Sequence, residues 1–334
     1  MNEKHLNGLT ATRGFAALMI VIFHFGLNVF PFKHMQPFFA KGNVAVSYFF
    51  TLSGFIMCYT YFNQQIEYKD YLKRRIARIA PLYWVAMIIS IIRVRDEAQL
   101  GFKTLLNFFF AQAYIPGYAL TINSAGWSLS VEMLFYLLFP LLLLLYKVNQ
   151  KRFAYGALLF YVLSQLVHLW MVAYAKPNNN NWHELTYYFP FAHLNEFVIG
   201  MAGYYFYTHY KEQLSKMPVF VTLVMVVLSI IYLPFSKHNG LLSPLFVLMI
   251  VGIACKKDSW LSAKPLVWLG EVSYGIYILQ MPVNFYVSKL NAKYLGLTTN
   301  WFFLFFVIVL VIVSALCYSY VEKPLRRKIN SLKI

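Results

Sequence analysis

The ionisable side chains that interrupt the apolar runs of this sequence are few. Each is a candidate for chemistry, because a charged group in hydrocarbon costs a few kcal/mol. Arg13 and His24 lie in the first apolar run, eleven residues apart. That separation is close to three helical turns, so both share one helix face about 16 Å apart. An imidazole on such a face suits proton transfer near neutral pH. A plainer role fits the same residues, with Arg13 marking the membrane boundary and His24 bonding a neighbouring helix. Glu132 lies in the stretch from Gly126 to Tyr136, where Ser128, Glu132 and Tyr136 recur at every fourth position. This spacing draws a polar stripe down an apolar helix. A carboxylate there can pair with Arg or hold a His in its productive tautomer, and a structural ion pair or polar packing contact fits equally. The segment Tyr71 to Pro81 carries Arg74, Arg75 and Arg78. Arg74 and Arg78 share a face at i, i+4, with Arg75 beside them. The planar guanidinium fork suits the phosphate oxygens of a phosphorylated cosubstrate at the cytoplasmic surface. A topology signal or an anionic-lipid contact would use the same cluster.

Other polar residues signal less. His193 and Glu196 stand one turn apart and could add polar lining, and Glu271 precedes Tyr274 and Tyr277. His5, His34, His168, His183, His209 and His238 fall near run ends or in loops and draw no role. The three cysteines, Cys58, Cys255 and Cys317, sit within or at the ends of apolar runs and read as packing residues. Their odd number and spacing speak against a disulfide framework or a zinc site. With no metal-ligand spacing and no phosphate-cradling glycine loop, metal and nucleotide-hydrolysis chemistry lack support.

The elements that position these residues follow from hydropathy. Of the 334 residues 60% are hydrophobic and only 12% charged, with a mean hydropathy of +0.56. A soluble domain carries about 25% charged residues, so this chain lacks the polar surface to face water all round. The net charge of +17 is spread in short clusters between apolar stretches. A nucleic-acid binder gathers its charge on one polar face, so the partner implied is the lipid bilayer and not nucleic acid.

The expected fold class is an all-α polytopic membrane protein with about ten transmembrane helices. A crossing needs about 20 apolar residues, and the candidate spans are 14–32, 44–62, 79–94, 127–146, 153–174, 187–208, 218–235, 241–255, 266–287 and 300–320. Residues 105–120 are apolar too, and read as re-entrant or as part of another helix. The segments 1–13, 63–78, 147–152, 209–217, 256–265 and 321–334 hold 20 of the 29 Lys and Arg. The positive-inside rule therefore puts both termini in the cytoplasm. The first run has no small-residue cleavage pattern after it and reads as a retained signal anchor. One membrane domain over 1–334 is the expected organisation, with small polar loops outside such as Lys176 to Asn181.

Several segments together resemble the acyltransferase family 3 membrane proteins. Thr12-Arg13-Gly14-Phe15-Ala16-Ala17 through Phe23-His24 is similar to the family's Arg-x10-His signature. Phe49 to Phe55 is similar to its second-span segment, and Arg74 to Trp84 to its cytoplasmic arginine segment. Trp127-Ser128-Leu129 with Glu132 and Phe135-Tyr136, Glu196-Phe197 to Gly200-Met201, Ser273 to Tyr277, and Val321 to Pro324 complete the likeness. It covers nearly the whole chain in order. Gln280 is a departure, standing where many members carry His.

The resemblance implies a membrane O-acyltransferase of envelope and exported polysaccharides. The donor would usually be acetyl-CoA, a cosubstrate approaching from the cytoplasm, and no metal is expected. Arg74, Arg75 and Arg78 would contact its phosphates. His24 would be the essential catalytic residue, supported by Arg13 and Glu132, with Glu132 or a neighbour orienting the imidazole. The acceptor would be a carbohydrate or glycolipid: O-antigen, exopolysaccharide, capsule or a lipid-linked precursor. The bacterial inner (plasma) membrane would be the location. A transporter or flippase using Arg13, His24 and Glu132 as a polar path is the alternative, although the internal symmetry common in transporters is not visible. A non-catalytic scaffold would not need a His and a Glu on buried faces.

Overall fold

The computed structural model describes residues 6–94, 98–174, 180–234, 239–256 and 260–332, with no β-strand among them. His5, His238 and most of the loop Lys176 to Asn181 lie outside the described residues. Six stretches are long and apolar enough to cross a membrane: Asn7–Phe25, Val44–Tyr61, Tyr68–Arg93, Ser124–Val148, Gln150–Ala173 and Thr299–Ser331. Val219–Tyr232 and Ser243–Ala254 are apolar but shorter. The chain is a multi-pass helical membrane protein. The spans meeting these length and composition limits are fewer than the ten read from the sequence.

In chain order the helices are α1 (Asn7–Phe25), α2 (Gln36–Phe39), α3 (Val44–Tyr61), α4 (Tyr68–Arg93), α5 (Leu100–Phe108), α6 (Trp127–Val148), α7 (Gln150–Ala173) and α8 (Asn180–Tyr187). They continue with α9 (Leu194–His209), α10 (Lys211–Ser215), α11 (Val219–Tyr232), α12 (Ser243–Ala254), α13 (Lys264–Glu271), α14 (Ser273–Leu290), α15 (Thr299–Cys317) and α16 (Lys323–Ser331). α3 and α9 cross closely. A Cβ on Gly54 would lie 2.0 Å from the Phe197 carbonyl oxygen, and one on Gly200 would lie 2.0 Å from that of Thr51. Small residues let membrane helices approach this closely, and dispersion and backbone contacts then hold them together.

Two helices begin earlier than hydropathy suggests. The first span, expected at 14–32, is α1 from Asn7 to Phe25. Its polar start is tolerated because the Thr10 and Thr12 hydroxyls donate to the Leu6 and Leu9 carbonyls of the same helix. Beyond Phe25 the chain turns at Gly26. The third span, expected at 79–94, is α4 from Tyr68 to Arg93. Its arginines ride on this same helix, as their i, i+4 spacing implied, and the helix starts eleven residues before the expected span. Expected spans also break. Pro190 interrupts 187–208, since proline disfavours helix in the residue before it and Phe189 is extended. Within 266–287, α13 ends at Glu271 and α14 starts at Ser273. Gly270, at this break, presses so closely on Thr10 of α1 that a Cβ would sit 1.8 Å from its carbonyl oxygen.

Residues 105–120 begin on a further helix, α5, and continue as irregular backbone. The nine-residue α5 ends at Phe108, and two short 3-10 turns, Gln112–Tyr114 and Ser124–Gly126, lead into α6. Irregular backbone packed among helices must find its hydrogen bonds inside the protein. Buried Gln112 donates to the Gly126 carbonyl (2.8 Å) and to the Tyr83 hydroxyl (3.2 Å), and Tyr83 donates to Asn107 Oδ1 (2.8 Å). The loop is thereby tied to the middle of α4.

Candidate active site

Four helices, α1, α3, α6 and α14, enclose a cavity of about 40 Å³, room for a water-sized group or two. Arg13 enters it from α1, Phe49 and Phe50 from α3, Ser128 and Glu132 from α6, and Tyr274 and Tyr277 from α14. The expected stripe on α6 is therefore real, and it faces inward. Ser128 and Tyr136 are buried, and the Tyr136 hydroxyl donates to Glu132 Oε2 at 2.7 Å. The Ser128 hydroxyl donates to the Ala125 carbonyl at 3.2 Å, and Tyr274 donates to the Ile79 carbonyl of α4 at 2.6 Å.

The arginine segment divides differently from its sequence spacing. Arg75 and Arg78, one turn apart, point into the protein, whereas Arg74 is exposed on the side of Asp70. The Arg75 guanidinium stacks 5.3 Å from the Tyr61 ring centroid and 6.0 Å from that of Tyr136. Its Nε is buried with no hydrogen-bond partner among the described residues, which leaves a donor available to an anion. Arg78 lies within electrostatic reach of Tyr136, Glu132 and Glu322, and Arg13 of Arg78, Glu132 and Glu322. Among the described residues neither Arg13 nor Arg78 forms a direct ion pair with a carboxylate. The cluster is a polar chamber in which two half-buried cations face two carboxylates without a direct ion pair, Arg13 and Glu132 lining its cavity.

His24 sits apart from this chamber, in the last turn of α1. Its side chain is exposed, and Nδ1 lies 3.0 Å from Gln280 Oε1. Glu132 or a neighbour was expected to orient the imidazole; Glu132 accepts from Tyr136, and the side chain in hydrogen-bonding contact with the ring is Gln280. Two residues beyond Gln280, Pro282 frees the Ile278 carbonyl, because proline has no N–H to donate to it. Asn123 Nδ2, from the loop before α6, donates to that carbonyl at 2.9 Å. The loop thus braces α14 beside Gln280.

The sequence reading grouped Arg13 and Glu132 with His24 and gave Arg75 and Arg78 a separate donor-binding role; in the fold Arg13, Glu132, Arg75 and Arg78 gather around Tyr136 and Glu322, and Glu322, Tyr274 and Tyr277 had no site role in that reading. Glu322 is buried where a π-helical turn, Tyr318–Glu322, joins α15 to α16. A carboxylate closing a long apolar run was the available signal for it. His193 and Glu196 do not line the cavity. His193 Nδ1 lies 2.9 Å from Glu196 Oε1 in a separate buried network with Asn239. The rings of Phe50 and Trp127 cover His193 at 5.1 and 5.2 Å. His168 belongs to the same network, accepting from the Asn239 backbone N–H. Among the described residues no group of three or more His, Cys, Asp or Glu could hold a metal ion.

A family model described as an acyltransferase domain matches residues 6–319. YrhL of Bacillus subtilis is 24% identical over 365 residues, covering 97% of this chain and 55% of that protein. The O-acetyltransferase OatA of Staphylococcus aureus is 22% identical over 366 residues, 98% of this chain and 58% of its own length. The peptidoglycan O-acetyltransferase OatA of Listeria monocytogenes is 24% identical over 367 residues, 98% and 56% respectively. The chain thus spans little more than half the length of the curated relatives it matches. No solved structure matches it.

Proposed function

Since the chain belongs to the acyltransferase family whose domain model matches residues 6–319, we propose that it is a membrane O-acyltransferase moving acetyl from acetyl-CoA to a sugar hydroxyl. The acceptor is a surface or secreted polysaccharide or its lipid-linked precursor. Relatives named as peptidoglycan O-acetyltransferases support a polysaccharide acceptor. The domain crosses the bacterial inner membrane ten times with both termini cytoplasmic; the ten crossing helices are α1, α3, α4, α6, α7, α9, α11, α12, α14 and α15. The positive-inside bias of the loops supports this orientation.

One observation carries the reading. Along α1 alone, Arg13 lies in a chamber of arginines and carboxylates, and His24 stands accessible about 16 Å further along the helix. Arg75 and Arg78, with exposed Arg74 at the rim, suit the donor's phosphates, because the guanidinium fork binds such oxygens at two points. A long flexible arm bearing a thioester fits the direction from these arginines towards His24. The acceptor hydroxyl gives its proton to His24 as its oxygen attacks the thioester carbonyl. The thiolate leaves and regains a proton, so an ester and a free thiol result. Arg13 and Glu132 keep the chamber's charge balanced around the donor.

Mass spectrometry of envelope and secreted glycans from three strains tests this: native, deleted, and His24→Ala with normal protein level. An acetyl-sized mass increment restricted to the native strain is expected. Identical glycans in all three would overturn it and favour the transporter reading.

A further inference from the structure

We infer that Gln280 is the positioning residue for His24: its amide fixes the neutral imidazole as the Nδ1–H tautomer and leaves Nε2 to accept the proton. The inference rests on the reading of His24 as the group that serves transfer.

The hydrogen bonds force the assignment. Gln280 Nε2 lies 2.8 Å from the Tyr277 carbonyl oxygen, which can only accept, so the amide NH2 must point there. Oε1 is thereby directed at His24 Nδ1, 3.0 Å away. An amide oxygen also only accepts, so Nδ1 must carry the hydrogen. In a neutral ring the lone pair then resides on Nε2, for which no partner occurs among the described residues.

The amide is not free to turn. Gln280 is fully buried, and the Ile278 carbonyl two residues before it accepts from Asn123. The chemistry of the side chain also matters. A carboxylate at 280 would orient the ring equally well but would favour the imidazolium, which has no lone pair to offer. A histidine there could donate or accept, so the tautomer would depend on its own protonation. A glutamine gives orientation without charge and cannot titrate.

The test uses the full chain, purified in lipid nanodiscs and labelled with 15N at histidine, with the His24 signals identified by their loss in His24→Asn. In the unsubstituted protein at neutral pH, Nδ1 should resonate as a protonated and Nε2 as an unprotonated ring nitrogen. Gln280→Met, similar in length but without an amide, should bring the two signals towards a common averaged position. In native membranes, after subtraction of the deleted strain, its maximal rate of acetyl-CoA consumption should fall by about ten- to hundredfold. Its KM for acetyl-CoA should stay within about twofold of the native value, because Gln280 lies away from the arginines. Gln280→Glu should keep Nδ1 protonated, since its oxygen still accepts. A His24 found as the Nε2–H tautomer in the unsubstituted protein overturns the inference, whatever the variants do. So does a folded Gln280→Met with native tautomer and native rate. The tautomer is read without turnover, so failure of the transferase reading is a separate result.

Discussion

Arg13 and Arg78 are expensive residues to carry in an apolar bundle, at about 3 kcal/mol each on insertion scales, and Glu132 and Glu322 offset that cost. The residues therefore act as a set. Removing Glu132 alone should leave two cations facing one carboxylate, whereas removing Arg13 with it should restore the balance. A double-mutant cycle of Arg13→Met and Glu132→Gln, read by thermal unfolding in detergent, should show a coupling of about 0.5–3 kcal/mol; strictly additive effects would mean that the two do not interact. Arg75 acts differently, because its partners are the rings of Tyr61 and Tyr136 and its Nε has no partner. Arg75→Ala should raise the KM for acetyl-CoA by about tenfold or more, which is the loss of one charge-assisted contact. An unchanged KM would remove the phosphate-binding role. His24 was legible from its position in an apolar run, but its partner was not. Gln280 lies 256 positions away in the chain, and no local pattern links two such residues.

At the scale of elements, close helix crossings and interrupted helices decide where the side chains stand. The α3–α9 crossing places Phe50 between the cavity and the buried His193 network, and Gly54 makes the approach possible. Gly54→Val should therefore lower stability by more than about 2 kcal/mol, as overpacking without room to relax does. The check is the thermal midpoint in detergent beside Gly101→Ala, whose added Cβ meets nothing within 4 Å; equal midpoints would show that the crossing tolerates a side chain. Hydropathy located the centres of α3 and α6 well, because their apolar runs are unbroken. It misplaced the starts of α1 and α4, because it treats every Arg and Thr as facing lipid. In the fold Arg75 and Arg78 face protein and Thr10 and Thr12 bond their own helix, so the hydrocarbon cost that hydropathy assumes does not apply.

At the scale of the whole molecule, the chain presents exposed apolar side chains on α6, α7, α11 and α15, including Leu144, Leu159, Phe220 and Ile312. Such surfaces face lipid, and the polar groups that matter are turned inward. The topology makes a direct prediction. With Cys58, Cys255 and Cys317 replaced by Ser, a single cysteine at Ser331 should react with a membrane-impermeant maleimide only from the cytoplasmic side, and one at Lys293 only from the opposite side. Labelling of both from one side would overturn the proposed arrangement. The sequence by itself determined the class of the protein, its helical character and most of the ionisable residues of the chamber, because too few charges and too many apolar runs leave no soluble alternative. It also determined the facing of Ser128, Glu132 and Tyr136, since that spacing is a local property of one helix. Only the tertiary structure decided that Arg75 and not Arg74 turns inward, that Glu322 joins Arg13 and Arg78, and that Gln280 rather than Glu132 holds His24. Each of those depends on which helices become neighbours and how far each is rotated, and contacts between distant segments leave no periodic trace in a single sequence.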